Sequence, residues 1–435
     1  MPVGSGAETL AMPAKTRRRI ALIGLPIISL GEESIFDGLV RYASTSTAWQ
    51  YVLSAESTVD AFRFLRKANC DGAIVRVLTR EMAREAKKLP FPIINVSTWL
   101  EKPGVPTVCR DDAMIGRLAA EHLLQSGFRR FACVICPGGF YVRARAEGFQ
   151  KTVEKAGFPC AMHTMKAHYG DIEHPQRVTA VDLSALQAWL VQLRAPVGLF
   201  WTEDHLGEQL LRSCQKCGLR VPQDVALVGA LNRTSYCEAS DPPMSSVNSP
   251  EEEVGFLAAN WLDRMMAGEK MEASHQMVPP THVVARKSSD TFAVDDPMVA
   301  RALGHIFKHV GEGLNASELI GNLNLPRRTF YRMFEAATGQ SPQGFIQKRR
   351  VQITLDLLSR DVDLSLKEVA MRCGFRDRNR MNLTLLKITG KSAQALREER
   401  VAEINAPPDR VTSRSALSHG AFRPLAYPSR EQGTR

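Results

Sequence analysis

The sequence contains no run approaching the ~18 uninterrupted apolar residues that a membrane-spanning helix requires, which excludes a helical membrane protein. Its nearest imitation of an export signal is Arg17-Arg18-Arg19 followed by IALIGLPIISLG. That stretch has no small-x-small cleavage site and reads instead as a buried first strand. P-loop, GxSxG and HExxH patterns are absent, and the nearest acid pairs have no base or metal partner. The expectation is a protein that is not an enzyme, with no cofactor and no metal. Cysteine is sparse and odd in number, nine in all, so free thiols in a reducing, cytoplasmic compartment are expected. Two CxxC pairs, Cys133/Cys136 and Cys214/Cys217, have zinc-ligand spacing. The first lies in a strand-like run, where residues i and i+3 point to opposite faces. The second lies near the end of an amphipathic helix, so buried thiols are the better reading of both.

What the sequence does have is length and unevenly placed charge. A chain of 435 residues exceeds one core and suggests two to four domains at roughly 100–200 residues each. The net charge of +10 is concentrated towards the end: residues 291–400 hold 18 lysines and arginines against 12 acids. The arm 1–19 holds 4 against 1 and the tail 401–435 holds 5 against 3, which leaves residues 20–290 close to neutral. A basic surplus of this kind favours a phosphate polymer as partner of the last third.

From Ile20 to about Ala285 continuous apolar runs such as IALIGL, DGAIVRV, FACVIC, VGLFWT and VALVGAL alternate with helical patterns. Apolar strands separated by helices indicate parallel sheets covered on both faces, an α/β architecture. So many βα units exceed one doubly wound sheet and predict two lobes with a cleft between them. Ligands of open α/β sheets bind beyond the carboxyl ends of strands. The residues there include Trp99, Asp111, Trp201, Asp204 and Asn232. Aromatic planes and carboxylates together suit a polar, sugar-like effector; the competing reading makes the tryptophans core and the acids helix N-caps.

Residues 286–298 (RKSSDTFAVDDPM) interrupt the pattern and read as a linker. Beyond them 299–400 is all-helical and written twice. Ala316, Leu319, Ile320 and Leu323 share their spacing with Leu366, Val369, Ala370 and Cys373 fifty residues on. In the helices that follow, Phe330, Phe334 and Ala337 match Met381, Leu385 and Ile388, with Gly339 and Gly390 as stops and Ser341 and Ser392 as the next N-caps. Two short helices joined by a tight turn, twice over, form a double helix-turn-helix. On a helical wheel Phe330, Met333, Phe334 and Ala337 lie on one side; Arg328, Tyr331, Arg332 and Glu335 lie on the other, with Arg327 and Thr329 in the first turn. A second helix of such a motif enters the major groove, where arginine bonds bidentately to guanine O6 and N7. The second copy presents Asn379, Arg380, Leu383 and Leu386, with Arg376 and Arg378 in and after the preceding turn, so phosphate or thymine-methyl contacts are expected of it. A long helix opened by Pro342 should hold the two reading helices about one duplex turn, ~34 Å, apart.

The residues LPRRTFYRMFEAATGQSP, RRVQITLDLLS, LSLKEVAMRCGF and ITGKS resemble the DNA-binding domain of the AraC/XylS regulators over 299–400. The resemblance implies that Arg327, Arg328, Arg332, Arg378 and Asn379 lie on or beside reading helices. Here Leu383 stands where a basic residue is usual, Met381 and Leu385 where phenylalanines are usual, and Ala393 where proline is usual. RARAEGF, FWTEDHLGEQLLRSCQKCGLRVPQDVALVG and PPMSSVNSPEEEVG are similar to the LacI/GalR-type sensor, itself like the periplasmic sugar-binding proteins. That resemblance implies an effector cleft lined by Asp111, Arg145, Asp204 and Asn232, with Leu231 in the place of a usual sugar-contacting aspartate.

The combined expectation is a cytoplasmic regulator of transcription: a basic disordered arm (1–19), a two-lobed periplasmic-binding-protein-like α/β sensor (20–285), the linker, an all-α double helix-turn-helix domain, and a disordered tail (401–435). Double-stranded DNA and a small, sugar-like effector are the expected partners, with a homodimer as the assembly and RNA polymerase as a further contact. The alternatives are a constitutive or architectural DNA binder with a vestigial sensor, and a solute-binding protein.

Overall fold

A computed structural model describes residues 18–25, 34–46, 49–54, 57–169, 178–271, 274–291, 293, 296–321, 326–360 and 364–398. The arm before Arg18, Leu323 and the tail from residue 401 lie outside the described residues. The chain divides into two compact units. The first holds most of the chain to Arg110 and the return segment Glu251–Val278; the second holds Asp111 to Pro250 and everything from Pro279 on, apart from a short stretch between 171 and 175.

The first unit is built on a six-stranded sheet. Its order is His275–Val278, Thr107–Arg110, Ile93–Asn95, Gly72–Val75, Arg18–Ile23, Trp49–Ser54, with all neighbours parallel. Ile20 to Ile23 and Ala73 to Val75 are buried without interruption, which is why these strands read as continuous apolar runs rather than alternating ones. The first strand begins at Arg18, two residues before the apolar run. Arg18 is held there by Asp263 of the helix Glu251–Met266 at 2.5 Å, an ion pair that no hydrophobic pattern could announce.

The sheet of the second unit has the same winding. Its order is Val283–Val284, Ser245–Asn248, Val225–Leu231, Val197–Trp201, Phe131–Ile135, Cys160–Thr164, all parallel except the first, antiparallel edge strand. Each unit also repeats one helix crossing. A Cβ on Gly38 (helix Ile35–Ser46) would run into the Glu252 carbonyl of Glu251–Met266, and one on Gly255 into the carbonyl of Ile35. A Cβ on Gly116 (helix Asp112–Gln125) would likewise meet the Arg145 carbonyl of Phe140–Lys155, and one on Gly148 the carbonyl of Ala113. The two pairs share the same spacing, so both lobes bring backbones into contact in one register.

Cys133 and Cys136 are buried on opposite faces of the second sheet, as their spacing requires. Cys214 is buried as well, and burial pushes its thiol up to about 12. Cys217 is only partly buried.

The polar segment from Arg286 is packed, contrary to a loose linker throughout. Ser288 and Ser289 are buried. Ser288 Oγ donates to the Leu227 carbonyl at 2.7 Å and accepts from Ser245 N at 2.8 Å; Ser289 Oγ donates to Ser245 Oγ at 2.7 Å. His122 Nε2 lies 2.8 Å from Ser289 Oγ. Burial, with the nearby Arg349 charge, lowers the His122 imidazole to about 3, so this chain of hydroxyls ends on a neutral ring.

The helical domain follows as Pro297–His309, Ala316–Gly321, Arg327–Thr338, Pro342–Arg360, Leu366–Arg372 and Arg378–Thr389. It has two small cores. One gathers Leu303, Ile306, Leu319, Phe330 and Phe334; the other Val351, Val369, Ala370, Met381 and Leu385. Among the described residues no helix is long and apolar enough to cross a membrane.

Gly116→Ala should lower stability by about 1–3 kcal/mol, because the obstructing atom is backbone and cannot rotate away. Gly304→Ala, inside Pro297–His309 with open space around it, should raise stability by about 0.5–1 kcal/mol. Urea denaturation of both variants checks the contrast.

Candidate functional site

The carboxyl ends of three adjacent strands of the second sheet converge on a buried ionic cluster. Arg145, one turn into Phe140–Lys155, is fully buried. Its Nε donates to Asp112 at 2.8 Å, and its Nη1 donates to the Thr202 carbonyl at 2.8 Å and to Glu203 at 3.3 Å. The Tyr141 ring lies 4.8 Å from the guanidinium carbon. Among the described residues Arg145 Nη2 has no hydrogen-bond partner. Burial works against the Glu203 charge, but the His205 hydrogen bond at 3.2 Å and the Arg145 and Arg233 charges outweigh it and hold the carboxyl well below its usual range.

At the end of the neighbouring strand, Leu231 and Asn232 have φ of 86° and 50°, the only non-glycine residues with positive φ among those described. Backbone strain of this kind costs about 1–3 kcal/mol per residue and clusters at ligand sites. The turn drives the Leu231 side chain into the core, where it is buried. It leaves Asn232 at the sheet end, with Nδ2 donating to Asn248 at 3.0 Å and Oδ1 buried without a partner among the described residues. Unpaired buried atoms are rare enough to require an explanation. Here a donor and an acceptor stand unpaired at the ends of one sheet.

The other expected effector residues fall differently. Trp201 is fully buried among Leu199, Leu206 and Leu210, so its ring is core and not a stacking surface. Asp204 is also buried, and its carboxylate accepts from Ala230 N at 2.7 Å, Arg233 N at 2.9 Å and the Ser246 hydroxyl at 2.9 Å. Burial, opposed by those hydrogen bonds, raises it to about 6. Its role is to tie three strand ends together. Asp111 caps the helix Asp112–Gln125, accepting from Met114 N at 2.9 Å. Trp99 belongs to the first unit, half-buried against its core. Residues that sequence reasoning passed over are Tyr141, Glu203, His205 and Asn248. A buried arginine needs counter-charges, so the acid beside Asp204 was the available signal.

In the helical domain Phe330 and Phe334 are fully buried, which fixes the azimuth of Arg327–Thr338. Arg327, Arg328 and Arg332 are exposed on the opposite side and, among the described residues, form no ion pair. Arg327 lies over the Tyr331 ring at 5.3 Å, and with Arg328, Arg332 and Glu335 the two line one shallow depression. Thr329 is half-buried in the first turn. In the second unit Met381 and Leu385 are buried, while Arg376, Arg378, Asn379 and Arg380 are exposed. Asp377 caps that helix through Arg380 N at 2.8 Å.

The repeat extends to hydrogen bonds. Thr338 Oγ1 donates to the Phe334 carbonyl at 2.7 Å and Thr389 Oγ1 to the Leu385 carbonyl at 2.8 Å, next to left-handed Gly339 and Gly390. Ser341 and Ser392 accept from Gly344 N and Ala395 N as the next caps. From the 19-residue helix Pro342–Arg360, about 28 Å long at 1.5 Å per residue, Arg350 reaches both units. It donates to the Leu314 carbonyl at 2.7 Å, and its guanidinium lies 5.7 Å from the Phe375 ring centre.

Two family models match this chain: a periplasmic binding protein-like domain over residues 120–289 and a helix-turn-helix domain over 319–399. The chain belongs to the transcriptional regulators with a periplasmic-binding-protein-like sensor, and joins that sensor to an AraC-type helix-turn-helix domain. Its relatives include the xylose operon regulatory protein of Haemophilus influenzae, 24% identical over 355 residues, covering 79% of this chain and 89% of that one. The HTH-type transcriptional regulator CelR of Thermobifida fusca is 30% identical over 259 residues, 57% of this chain and 73% of that one. The solved structure of the xylose-binding transcription activator xylR has the same fold, with a TM-score of 0.54 and 21% identity over 88% of this chain and 98% of that one. The protein is a DNA-binding regulator of transcription.

Arg145→Met removes the buried guanidinium that Asp112 and Glu203 share. It should destabilise the protein by about 3–5 kcal/mol in urea unfolding, and a loss below 1 kcal/mol would contradict this account of the cluster.

Proposed function

We propose that the regulator responds to a small, neutral polyhydroxylated effector, sugar-like in its hydrogen bonding, held at the carboxyl ends of the second sheet. The observation that carries this is an orphan donor, Arg145 Nη2, and an orphan acceptor, Asn232 Oδ1, each near a strand end of the second sheet, the latter on strained backbone. A hydroxyl both donates and accepts, and would satisfy either atom. Tyr141, Glu203, His205 and Asn248 complete the polar lining. Asp111 and Asp204 act through the backbone they cap or tie. Relatives that regulate xylose operons support a sugar as the class.

The reading helix Arg327–Thr338 supplies base recognition. Arg328 and Arg332 bond to guanine edges, Arg327 and Tyr331 form a paired contact beside them, and Thr329 meets the backbone near the helix start. Arg376, Arg378, Asn379 and Arg380 hold the second unit on the same duplex through phosphates and groove edges. The protein acts in the cytoplasm as a homodimer, catalyses no reaction, and contacts RNA polymerase at promoters it activates. Effector binding shifts the population between DNA-bound arrangements, by no more than its difference in affinity for them.

Calorimetry with pentoses, hexoses and sugar acids tests the effector reading: one neutral sugar should give heat and change operator affinity, and Asn232→Leu should remove both. No heat from any of them favours a constitutive DNA binder. For the reading helix, Arg328→Ala should weaken specific binding by about 1–3 kcal/mol and relax preference at one base pair. An unchanged selected sequence would contradict its role.

A further inference from the structure

The two helix-turn-helix units are superimposable in sequence at an offset of 51 residues between their reading helices. Phe330 and Phe334 correspond to Met381 and Leu385 as buried anchors, and the threonine and left-handed glycine that end each helix correspond in turn. With anchors and stops matched, the outward positions correspond too. Arg332 of the first unit therefore occupies the position of Leu383 in the second, and Glu335 that of Leu386. Leu383 is 61% exposed and Leu386 47% exposed, one turn apart on the outward face.

Two large apolar side chains left in water on one small helix are an unfavourable arrangement unless a surface covers them. Their surroundings indicate which surface. Arg376, Arg378, Arg380 and Lys387 are exposed around them and, among the described residues, form no ion pairs. A cationic rim matches a phosphate-flanked groove. Within the major groove the one apolar group on a base edge is the thymine C5-methyl.

We propose that the helix Arg378–Thr389 selects thymine, with Leu383 and Leu386 packed on C5-methyl groups, so that the two units of one chain read different base chemistries. The first unit uses guanidinium groups on guanine, and the second uses isobutyl groups on thymine. This rests on the DNA-reading function proposed above. It assigns each half of the binding site its own composition, rich in G contacts on one side and T contacts on the other.

The test uses the full-length protein and a duplex that it selects from a random pool. Each thymine of that duplex is replaced singly by deoxyuridine, which removes the methyl and leaves the pairing intact. One or two replacements should weaken wild-type binding by about fourfold each, the value of one buried methyl group. Leu383→Ala and Leu386→Ala should each lose the thymine–uracil difference at the methyl that its leucine covers, and the double variant should bind thymine and uracil duplexes alike, with melting temperatures unchanged because both side chains are exposed. Leu383→Arg, which restores the chemistry of the first unit, should shift selection at that base from T to G. Equal binding of thymine and uracil at every position, with a preferred sequence still selected, overturns this inference alone. A pool yielding no preferred sequence overturns it together with the reading function. If the Leu383→Ala/Leu386→Ala double variant keeps the methyl dependence and instead lowers transcription from a bound promoter, the face docks on protein and the inference is overturned.

Discussion

Everything the reading domain can do follows from burying one side of two short helices. A helix turns 100° per residue, so once Phe330 and Phe334 enter the core, the direction of Arg328 and Arg332 is set. Burying each phenylalanine contributes about 1.5–3 kcal/mol, while the arginines on the other side stay hydrated. The same geometry operates around Met381 and Leu385. What differs is the chemistry at the outward pole, guanidinium in one unit and isobutyl in the other. Arg350 then fixes one unit against the other by bonding a carbonyl of the first while lying over Phe375 of the second. Its guanidinium is half-buried, and desolvation lowers its pKa from the ordinary arginine value.

The sensor depends on a different constraint, the crowding of charge at the end of a parallel sheet. Arg145 with Asp112 and Glu203, and Asp204 with the amides of Ala230 and Arg233, knit together segments far apart in sequence. Among the described residues, Arg145 Nη2 is the atom of this network left without a hydrogen-bond partner. Rigid surroundings with a few open hydrogen-bonding positions are what a polar ligand requires, since the protein does not have to reorganise when it binds. The Ser245–Asn248 strand is bonded to Asn232 at its carboxyl end and, at Ser245, to the segment that leads into the helical domain.

The architecture was readable because its signals are redundant. Continuous apolar runs spaced by helices leave little besides two parallel sheets, and a motif written twice confirms itself, as Ser341 with Ser392 and Gly339 with Gly390 do. Single residues at the site were less readable. Trp201 at a strand end has the same sequence context whether its ring faces core or ligand, and only the face of the sheet decides. Asp204 has the appearance of a ligand-facing acid until its amide partners, about 26 and 29 residues along the chain, are brought to it. The serines of 286–289 read as linker because serine has no periodic signature; their partners at Leu227 and Ser245 come from the sheet. Arg145 was reached through family resemblance, while its orphan Nη2 is a property of three-dimensional packing alone.

Guanine N7 methylation interference, carried out with the full-length protein on a selected duplex, tests the central geometry most directly. A methyl on N7 blocks an arginine that bonds O6 and N7 but leaves the phosphates untouched. Methylation of one or two guanines in a single major-groove segment should abolish binding by the wild type, and Arg328→Ala or Arg332→Ala should lose sensitivity at one of them. Binding indifferent to N7 methylation at every guanine, or sensitivity retained by both variants, would contradict the placement of this helix in the groove.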